Sequence, residues 1–157
     1  MAEQSVIHST FVIERNYAQS PERVWAAFAD PEKKRRWFVE GDGKGIDEFA
    51  MDFRAGGSER VRYHYTDGVR FPGVVFTNEG TYQDIVPNRR VVFASTMAMG
   101  ERKFSASLVT VELAPKGAGT DLICTHQGAF FEGSDGPQIR EAGWRKLLER
   151  CAEELAR

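Results

Sequence analysis

The chain is poor in cysteine and has no long apolar segment. Its two cysteines, Cys124 and Cys151, are too few for a disulfide framework or a four-cysteine zinc site. Both lie within apolar patterns, which predicts buried small side chains rather than a reactive thiol. No apolar run approaches the roughly 20 residues that cross a bilayer, and the start, residues 1–5, lacks the basic and apolar pattern of a signal peptide. We therefore expect a reduced cytoplasmic protein without a membrane span.

Charge of one sign is also scarce, because 21 basic residues face 23 acidic ones and the net charge is −2. Nucleic-acid binding needs a basic stripe along the phosphate backbone, so nucleic acid is not an expected partner. The single basic cluster, residues 33–36, is interpreted as a solvated helix face.

Motifs of metal, nucleotide and nucleophilic chemistry are missing. The sequence contains no His-Glu-x-x-His, Gly-x-Ser-x-Gly or Cys-x-x-Cys pattern, and residues 41–45 resemble a phosphate loop in composition only. Of the three histidines, His8 and His64 fall on outer strand faces and His126 on an inner one. We therefore expect no metal site and no cofactor.

The chain does contain a strand followed by two capped helices. Phe11, Ile13 and Tyr17 alternate, which predicts a strand with one buried face. Ser20 before Pro21 and Asp30 before Pro31 are typical helix starts, since each pair joins an N-cap residue to a proline in the first turn. Trp37 and Phe38 end the second helix. A glycine-rich loop is expected over residues 40–45.

Strands dominate the middle of the chain. The predicted strands cover residues 49–53, 61–65, 69–86, 91–97, 104–113 and 120–127. Asp67-Gly68 predicts a tight hairpin turn, and Pro72-Gly73 and Gly80 predict bends that curve the sheet. We expect a loop over residues 128–133.

A long helix is predicted from Pro137 to near the C-terminus. Its apolar residues lie at helical spacing and form one stripe that faces the sheet: Trp144, Leu147, Leu148, Cys151 and Leu155. Length and the absence of repeats predict a single domain over residues 1–157.

In this order and spacing, the motifs resemble the START-like superfamily, also called the helix-grip or SRPBCC superfamily. Within it, the chain is similar to the activator of heat-shock protein 90 ATPase homologue family. The motifs that carry the resemblance are residues 20–25 with Phe28, Asp30-Pro31 with Trp37, residues 53–57, 80–89, 119–122, 125–126 and 143–144.

The resemblance implies an α+β helix-grip fold. About seven antiparallel strands would form a curved sheet around the long C-terminal helix, with two short helices after strand 1. It also implies an elongated cavity between the helix and the sheet. The family name implies a chaperone partner, and relatives of the fold include cyclases and hydrolases.

Inward aromatic residues are the candidate lining of such a cavity, because a sheet wrapped on one helix needs large side chains in its middle. His126 shares a face with Leu122 and Cys124, and it is either a ligand donor, a general base or a satisfied core histidine. Phe130 and Phe131 are either a lid over the cavity or a plug within it. The candidate ligand-binding residues are Trp25, Phe28, Trp37, Phe53, Tyr63, Tyr65, Tyr82, Phe93, His126, Phe130, Trp144 and Leu148.

Three functions fit these features. The favoured one is binding of a small hydrophobic or aromatic molecule. A second is a co-chaperone role in which residues 33–36 meet an acidic partner surface. A third is an enzyme with His126 as acid or base, together with Tyr63 or Tyr65; the sequence favours binding because no inward acid–base pair can be identified. A homodimer through a strand edge or the long helix is also possible.

Overall fold

The computed structural model describes residues 5–41 and 43–157. Residues 1–4 of the predicted N-terminal pattern and Asp42 of the predicted glycine-rich loop lie outside it. The elements are β1 (Ile7–Tyr17), α1 (Pro21–Ala29), α2 (Pro31–Lys34) with a π-helical turn (Arg35–Val39), β2 (Lys44–Met51), β3 (Ser58–Tyr65), β4 (Phe76–Val86), β5 (Arg90–Met99), β6 (Arg102–Lys116), β7 (Gly119–Phe130) and α3 (Pro137–Leu155).

The seven strands form one antiparallel sheet in the order β1-β7-β6-β5-β4-β3-β2. The strand register shifts at one extra residue in each of β2, β4 and β6: Asp47, Gln83 and Phe104. Such bulges bend a strand and increase its twist, so the sheet curves. The predicted α+β architecture with a curved sheet and two short helices after β1 is confirmed.

The helix starts follow the predicted capping chemistry. The Ser20 hydroxyl accepts a hydrogen bond from the Arg23 amide at 3.3 Å, and an Asp30 carboxylate oxygen accepts one from the Glu32 amide at 2.9 Å. Each side chain satisfies an amide that the first helical turn leaves without a partner. The two caps set α1 and α2 directly after β1.

Helix α3 covers the concave face and packs on β1, α1 and the π-helical turn. Leu148, Cys151 and Leu155 are buried, as the predicted stripe requires. The Tyr17 hydroxyl donates to the Leu148 carbonyl at 2.8 Å, which ties the end of β1 to the middle of α3. In the described part of the chain, no helix has the length and apolar character that crossing a membrane requires.

Two predictions about where strands begin were wrong. Asp67-Gly68 does not form a two-residue turn, because residues 66–75 form a longer loop and β4 begins only at Phe76. The Asp67 carboxylate instead accepts from the Val69 and Arg70 amides. Strand β2 begins at Lys44, inside the expected loop, so that loop is shorter than predicted.

The expected loop over residues 128–133 was also partly wrong, because β7 continues to Phe130. Gly128 belongs to the strand and lies between two rings on the same face. A Cβ there would lie 2.7 Å from the Phe130 ring and 2.9 Å from the His126 ring. The glycine makes room for both rings and does not mark a turn.

The basic cluster is not the solvated face that the sequence suggested. Lys34 is buried, with 7% exposure. Arg36 makes two hydrogen bonds to the Glu154 carboxylate, at 2.7 and 2.8 Å, and so joins the π-helical turn to α3. Two of the four cations therefore serve internal packing.

Candidate functional site

A cavity of about 70 Å³ lies between the concave face of the sheet and the helices. Strands β3 to β7 form its floor, and α1, α2, the π-helical turn and α3 cover it. Its wall is mainly aromatic and aliphatic, with a few polar groups among the apolar ones. The aromatic part is formed by Phe28, Trp37, Phe38, Phe53, Tyr82, Phe93 and Trp144.

Small residues meet in one row across the sheet, and two of them, Ser95 and Ser107, line the cavity. The strand register places Gly80, Ser95, Ser107 and Gly128 side by side on β4, β5, β6 and β7. A neighbouring row carries the larger Tyr82, Phe93, Val109 and His126 at the same four strands. The small side chains of Ser95 and Ser107 leave space beside this larger row that α3 does not fill. The space at Gly128 is instead taken by the Phe130 and His126 rings.

Two buried polar atoms of the cavity wall have no hydrogen-bond partner among the described residues: Asn78 Oδ1 and His126 Nδ1. A buried polar atom without a partner destabilises a protein by about 1–3 kcal/mol. Native structures therefore satisfy nearly all such atoms with protein groups, water or ligands. Both atoms belong to residues that line the cavity.

His126 is held between aromatic rings. It lies opposite Phe11 in the β1–β7 pairing, and the two rings stack with centroids 4.6 Å apart and planes within 5°. Burial, and then the positive charge of Arg140, lowers the pKa of His126 to about 4. The ring is therefore neutral at pH 7 and offers one N–H donor and one nitrogen acceptor.

A buried ion pair lies on the opposite wall. Lys34 Nζ is 2.6 Å from Glu59 Oε1, and both side chains are less than a tenth exposed. The Tyr82 hydroxyl donates to the same Glu59 oxygen. Burial, and then the Glu59 charge, raises the pKa of Tyr82. Lys34 also lies 4.7 Å from the centroid of the Phe38 ring, so the charge has an aromatic neighbour as well as a carboxylate.

Arg140 reaches the cavity from the first turns of α3. Its Nε and Nη2 each donate to Asp135 at 2.9 Å, and Nη2 also donates to Ser105 at 2.9 Å. Burial works to raise the pKa of Asp135, but the Arg140 hydrogen bonds and charge outweigh it and lower that pKa. Nη1 donates a long hydrogen bond of 3.5 Å to the Ser107 hydroxyl.

A second, larger space adjoins the cavity. This outer cleft, of about 650 Å³, lies between α3 and strands β2, β3 and β4, and it contains Tyr63 and Tyr65. Five residues line both the cavity and the cleft: Phe38, Asn78, Met97, Arg140 and Trp144. The two spaces are therefore adjacent.

The predicted ligand-binding residues divide into three groups. Those that line the inner cavity are Phe28, Trp37, Phe53, Tyr82, Phe93, His126 and Trp144. Tyr63 and Tyr65 line the outer cleft. Trp25, Phe130 and Leu148 are buried but line neither space. The Phe130 ring lies 6.2 Å from the His126 ring and 5.1 Å from the Arg140 guanidinium, outside both spaces.

Several polar residues of the wall were missed from the sequence, although two carried a readable signal. Glu59 has the same strand parity as Val61 and Tyr63, which places a charge on the buried face. Arg140 lies four residues before Trp144 and so continues the apolar stripe of α3. Asn78, Ser95 and Ser107 gave no such signal, since their meeting depends on strand register.

The carboxylates on the long central strand are not part of the cavity. Glu79 pairs with Arg60 at 2.8 Å and Asp84 with Arg90 at 2.7 Å. His8 is exposed, and His64 Nδ1 lies 2.9 Å from Asp47 on the outer face. Across residues 5–41 and 43–157, no three histidine, cysteine or acidic side chains cluster as metal ligands would.

The chain is similar to several solved structures over nearly its whole length. The Mll3558 protein of Rhizobium loti is 52% identical, with 96% of this chain and 99% of that chain covered and a TM-score of 0.86. A protein from Rhizobium leguminosarum is 35% identical, with 97% of both chains covered and a TM-score of 0.89. An AHSA1-like protein from Aeromonas hydrophila, 24% identical with 94% of this chain and 92% of that chain covered, shares the fold at a TM-score of 0.69.

A comparison with curated proteins finds no match. The model of one protein family, described as activator of Hsp90 ATPase homolog 1-like protein, matches residues 18–156. That match spans α1 to α3 and therefore includes every element that lines the cavity. The chain belongs to the activator of Hsp90 ATPase homolog 1-like family.

Proposed function

We propose that residues 1–157 act as one unit that binds a small molecule with an aromatic or otherwise apolar body. The molecule lies partly in the inner cavity and partly in the outer cleft, and a hydrogen-bonding group on it meets His126 Nδ1 or Asn78 Oδ1. The observation that carries this proposal is the pair of buried atoms without partners in an aromatic cavity.

The sizes of the two spaces support a ligand that occupies both. Pockets for drug-sized ligands measure roughly 300–1,000 Å³, and the cavity of about 70 Å³ is smaller than this range. The outer cleft, at about 650 Å³, falls within it. A side-chain movement of Met97, Phe38 or Trp144 would join them, since these residues line both.

Binding fits the chemistry of the cavity better than acid–base catalysis. With a pKa of about 4, His126 is a weak base at pH 7. Tyr63 and Tyr65, its proposed catalytic partners, line the outer cleft and not the cavity. Burial raises the pKa of Tyr63, which makes its hydroxyl a poor acid. We therefore infer that His126 orients a ligand.

The co-chaperone alternative loses its main support. It depended on residues 33–36 as a free basic surface, whereas Lys34 and Arg36 are engaged with Glu59 and Glu154. No surface feature of the described residues favours an acidic protein partner at this position.

The test uses N-phenyl-1-naphthylamine, a fluorescent neutral probe with an apolar body and one N–H donor. We expect saturable binding by the wild-type protein and at least tenfold weaker binding by Ser95→Leu, which fills the row of small residues. Thr96→Leu is the matched control, because Thr96 is next along β5 and points to the opposite face.

The melting temperature of each variant is measured by calorimetry to show that both variants fold. Equal affinities of wild type, Ser95→Leu and Thr96→Leu would place the probe elsewhere and overturn the proposed site. Absence of saturable binding to the wild type by both this probe and its sulfonated analogue, 8-anilino-1-naphthalenesulfonate, would overturn the proposed function.

A further inference from the structure

Positive charges surround the outer cleft, although the whole chain has a net charge of −2. Five cationic side chains line it, Lys44, Arg70, Arg140, Lys146 and Arg150, against two carboxylates, Asp135 and Glu153. The cleft is therefore positive on a protein whose overall charge is negative, and such local fields concentrate oppositely charged ligands.

We infer that the ligand is an amphipathic anion, whose carboxylate, sulfonate or phosphate group binds the cations of the outer cleft while its apolar body enters toward the inner cavity. This inference rests on the proposed function and names the chemical class of the ligand. Apart from Arg140, the cleft has four cationic residues, which we call the cationic rim: Lys44, Arg70, Lys146 and Arg150.

Like charges of the rim lie close enough to affect one another. Burial, and then the positive charges of Arg150, Arg70 and Lys146, lowers the pKa of Lys44. Cations held together in this way repel one another, and a bound anion removes that repulsion. The rim is therefore better matched to an anion than to a neutral molecule.

Two cations of the rim also lie against tyrosine rings. Lys44 Nζ lies 4.7 Å from the centroid of the Tyr63 ring, and the Arg70 guanidinium lies 4.2 Å from that of Tyr65. Arg70 is in turn held by Asp67 at 2.6 Å, and Arg150 donates to the Arg36 carbonyl at 2.9 Å. These contacts fix cationic groups beside apolar rings, which is the arrangement that an amphipathic anion requires.

A polyanion such as nucleic acid is a poorer match. Its phosphates need cations along an extended stripe, whereas these cations surround one cleft with Trp144 and Leu147 inside it. The arrangement favours a single anionic group attached to an apolar body.

The experiment compares 8-anilino-1-naphthalenesulfonate with N-phenyl-1-naphthylamine. The two probes share the same aromatic body and N–H, and they differ by the sulfonate. We expect the sulfonate probe to bind at least tenfold more tightly at low ionic strength. Its affinity should fall as salt is raised, while that of the neutral probe stays constant.

The variant for this test is Lys44→Gln with Lys146→Gln, and the matched control is Lys103→Gln, an exposed lysine of β6 outside the cleft. We expect the double variant to weaken sulfonate binding at least fivefold and to leave the neutral probe unchanged, with no effect of Lys103→Gln. Melting temperatures check that each variant folds.

The two proposals fail in different ways. Equal binding of both probes, or tighter binding of the neutral one, would overturn the anionic ligand and leave the proposed function standing. An equal loss of sulfonate binding in Lys103→Gln would show general charge attraction and would also overturn it. If neither probe binds to the wild type, the proposed function fails and the inference fails with it.

Discussion

Lys34 Nζ lies 2.6 Å from Glu59 Oε1 in the wall of an aromatic cavity, and both side chains are almost fully buried. This pair joins α2 to β3 across the interior. Since the Tyr82 hydroxyl donates to the same carboxylate, three elements depend on one charged group. The pair therefore sets the shape of the cavity beneath Phe38 as well as the stability of the fold.

Removal of one member of this pair should be strongly destabilising. Lys34→Met leaves the Glu59 carboxylate buried without its cation, and such changes lower the free energy of unfolding by about 3–5 kcal/mol. We expect the double variant Lys34→Met with Glu59→Gln to recover at least half of that loss, because Gln still accepts from Tyr82. Urea denaturation measures both. Additive losses in the double variant would show that the two side chains do not interact.

Stability should rise with pH between about 4 and 6.5. His126 has a folded pKa of about 4, below the ordinary 6.5, so the unfolded chain binds an extra proton in this window. The contribution of neutral His126 to the free energy of unfolding is fully present above pH 6.5. It is lost as the pH falls from 6.5 to 4, and the total loss is about 3 kcal/mol.

The measurement is the free energy of unfolding in urea at several pH values, for wild type and His126→Gln. Glutamine does not titrate, so the variant should show a flatter profile between pH 4 and 6.5. The same slope in both proteins would assign the dependence to other groups.

Both thiols should be inert in the folded protein. Cys124 and Cys151 are fully buried, and burial raises the pKa of each to about 12. At pH 8 we expect no reaction with a disulfide reagent over the time in which the unfolded chain reacts at both thiols, since only the thiolate is the nucleophile. Rapid labelling of the native protein at either cysteine would contradict the burial of that residue.

Ligand binding should depend on the acceptor of Asn78. Asn78 Oδ1 is buried without a partner among the described residues, so a probe with an N–H donor gains a hydrogen bond there or at His126. We expect Asn78→Leu to weaken N-phenyl-1-naphthylamine binding by three- to tenfold, in line with about 0.5–1.5 kcal/mol for one hydrogen bond. Fluorescence titration measures it. Unchanged affinities in both Asn78→Leu and His126→Gln would show that neither atom meets the probe.

Local sequence signals were sufficient for most of the fold. The two Ser/Asp-Pro caps and the stripe of α3 depend on residues a few positions apart, and the structure has them where they were predicted. The errors occurred where a glycine or aspartate had more than one possible role. Gly128 lies inside β7 to make room for two rings, and Asp67 caps a long loop instead of forming a tight turn.

The polar part of the site was harder to predict, because it depends on residues distant in sequence. Ser95 and Ser107 leave space because the register places these two small residues side by side on β5 and β6. Lys34 belongs to the basic cluster that the sequence predicts to be solvated. Its burial depends on the carboxylate of Glu59, 25 residues away. The predicted aromatic residues of the wall lie at inward strand positions or at helical spacing, and such local patterns indicate the buried face.

The position of a bound apolar molecule tests the proposed site most directly. Intermolecular nuclear Overhauser effects between N-phenyl-1-naphthylamine and protein with labelled methionine methyl groups locate it. Met97 lines both the cavity and the cleft, whereas Met51 and Met99 line neither. We predict contacts from the probe rings to the Met97 methyl. Contacts to Met51 or Met99 without contacts to Met97 would place the molecule outside both the cavity and the outer cleft. That result would contradict the proposed binding site.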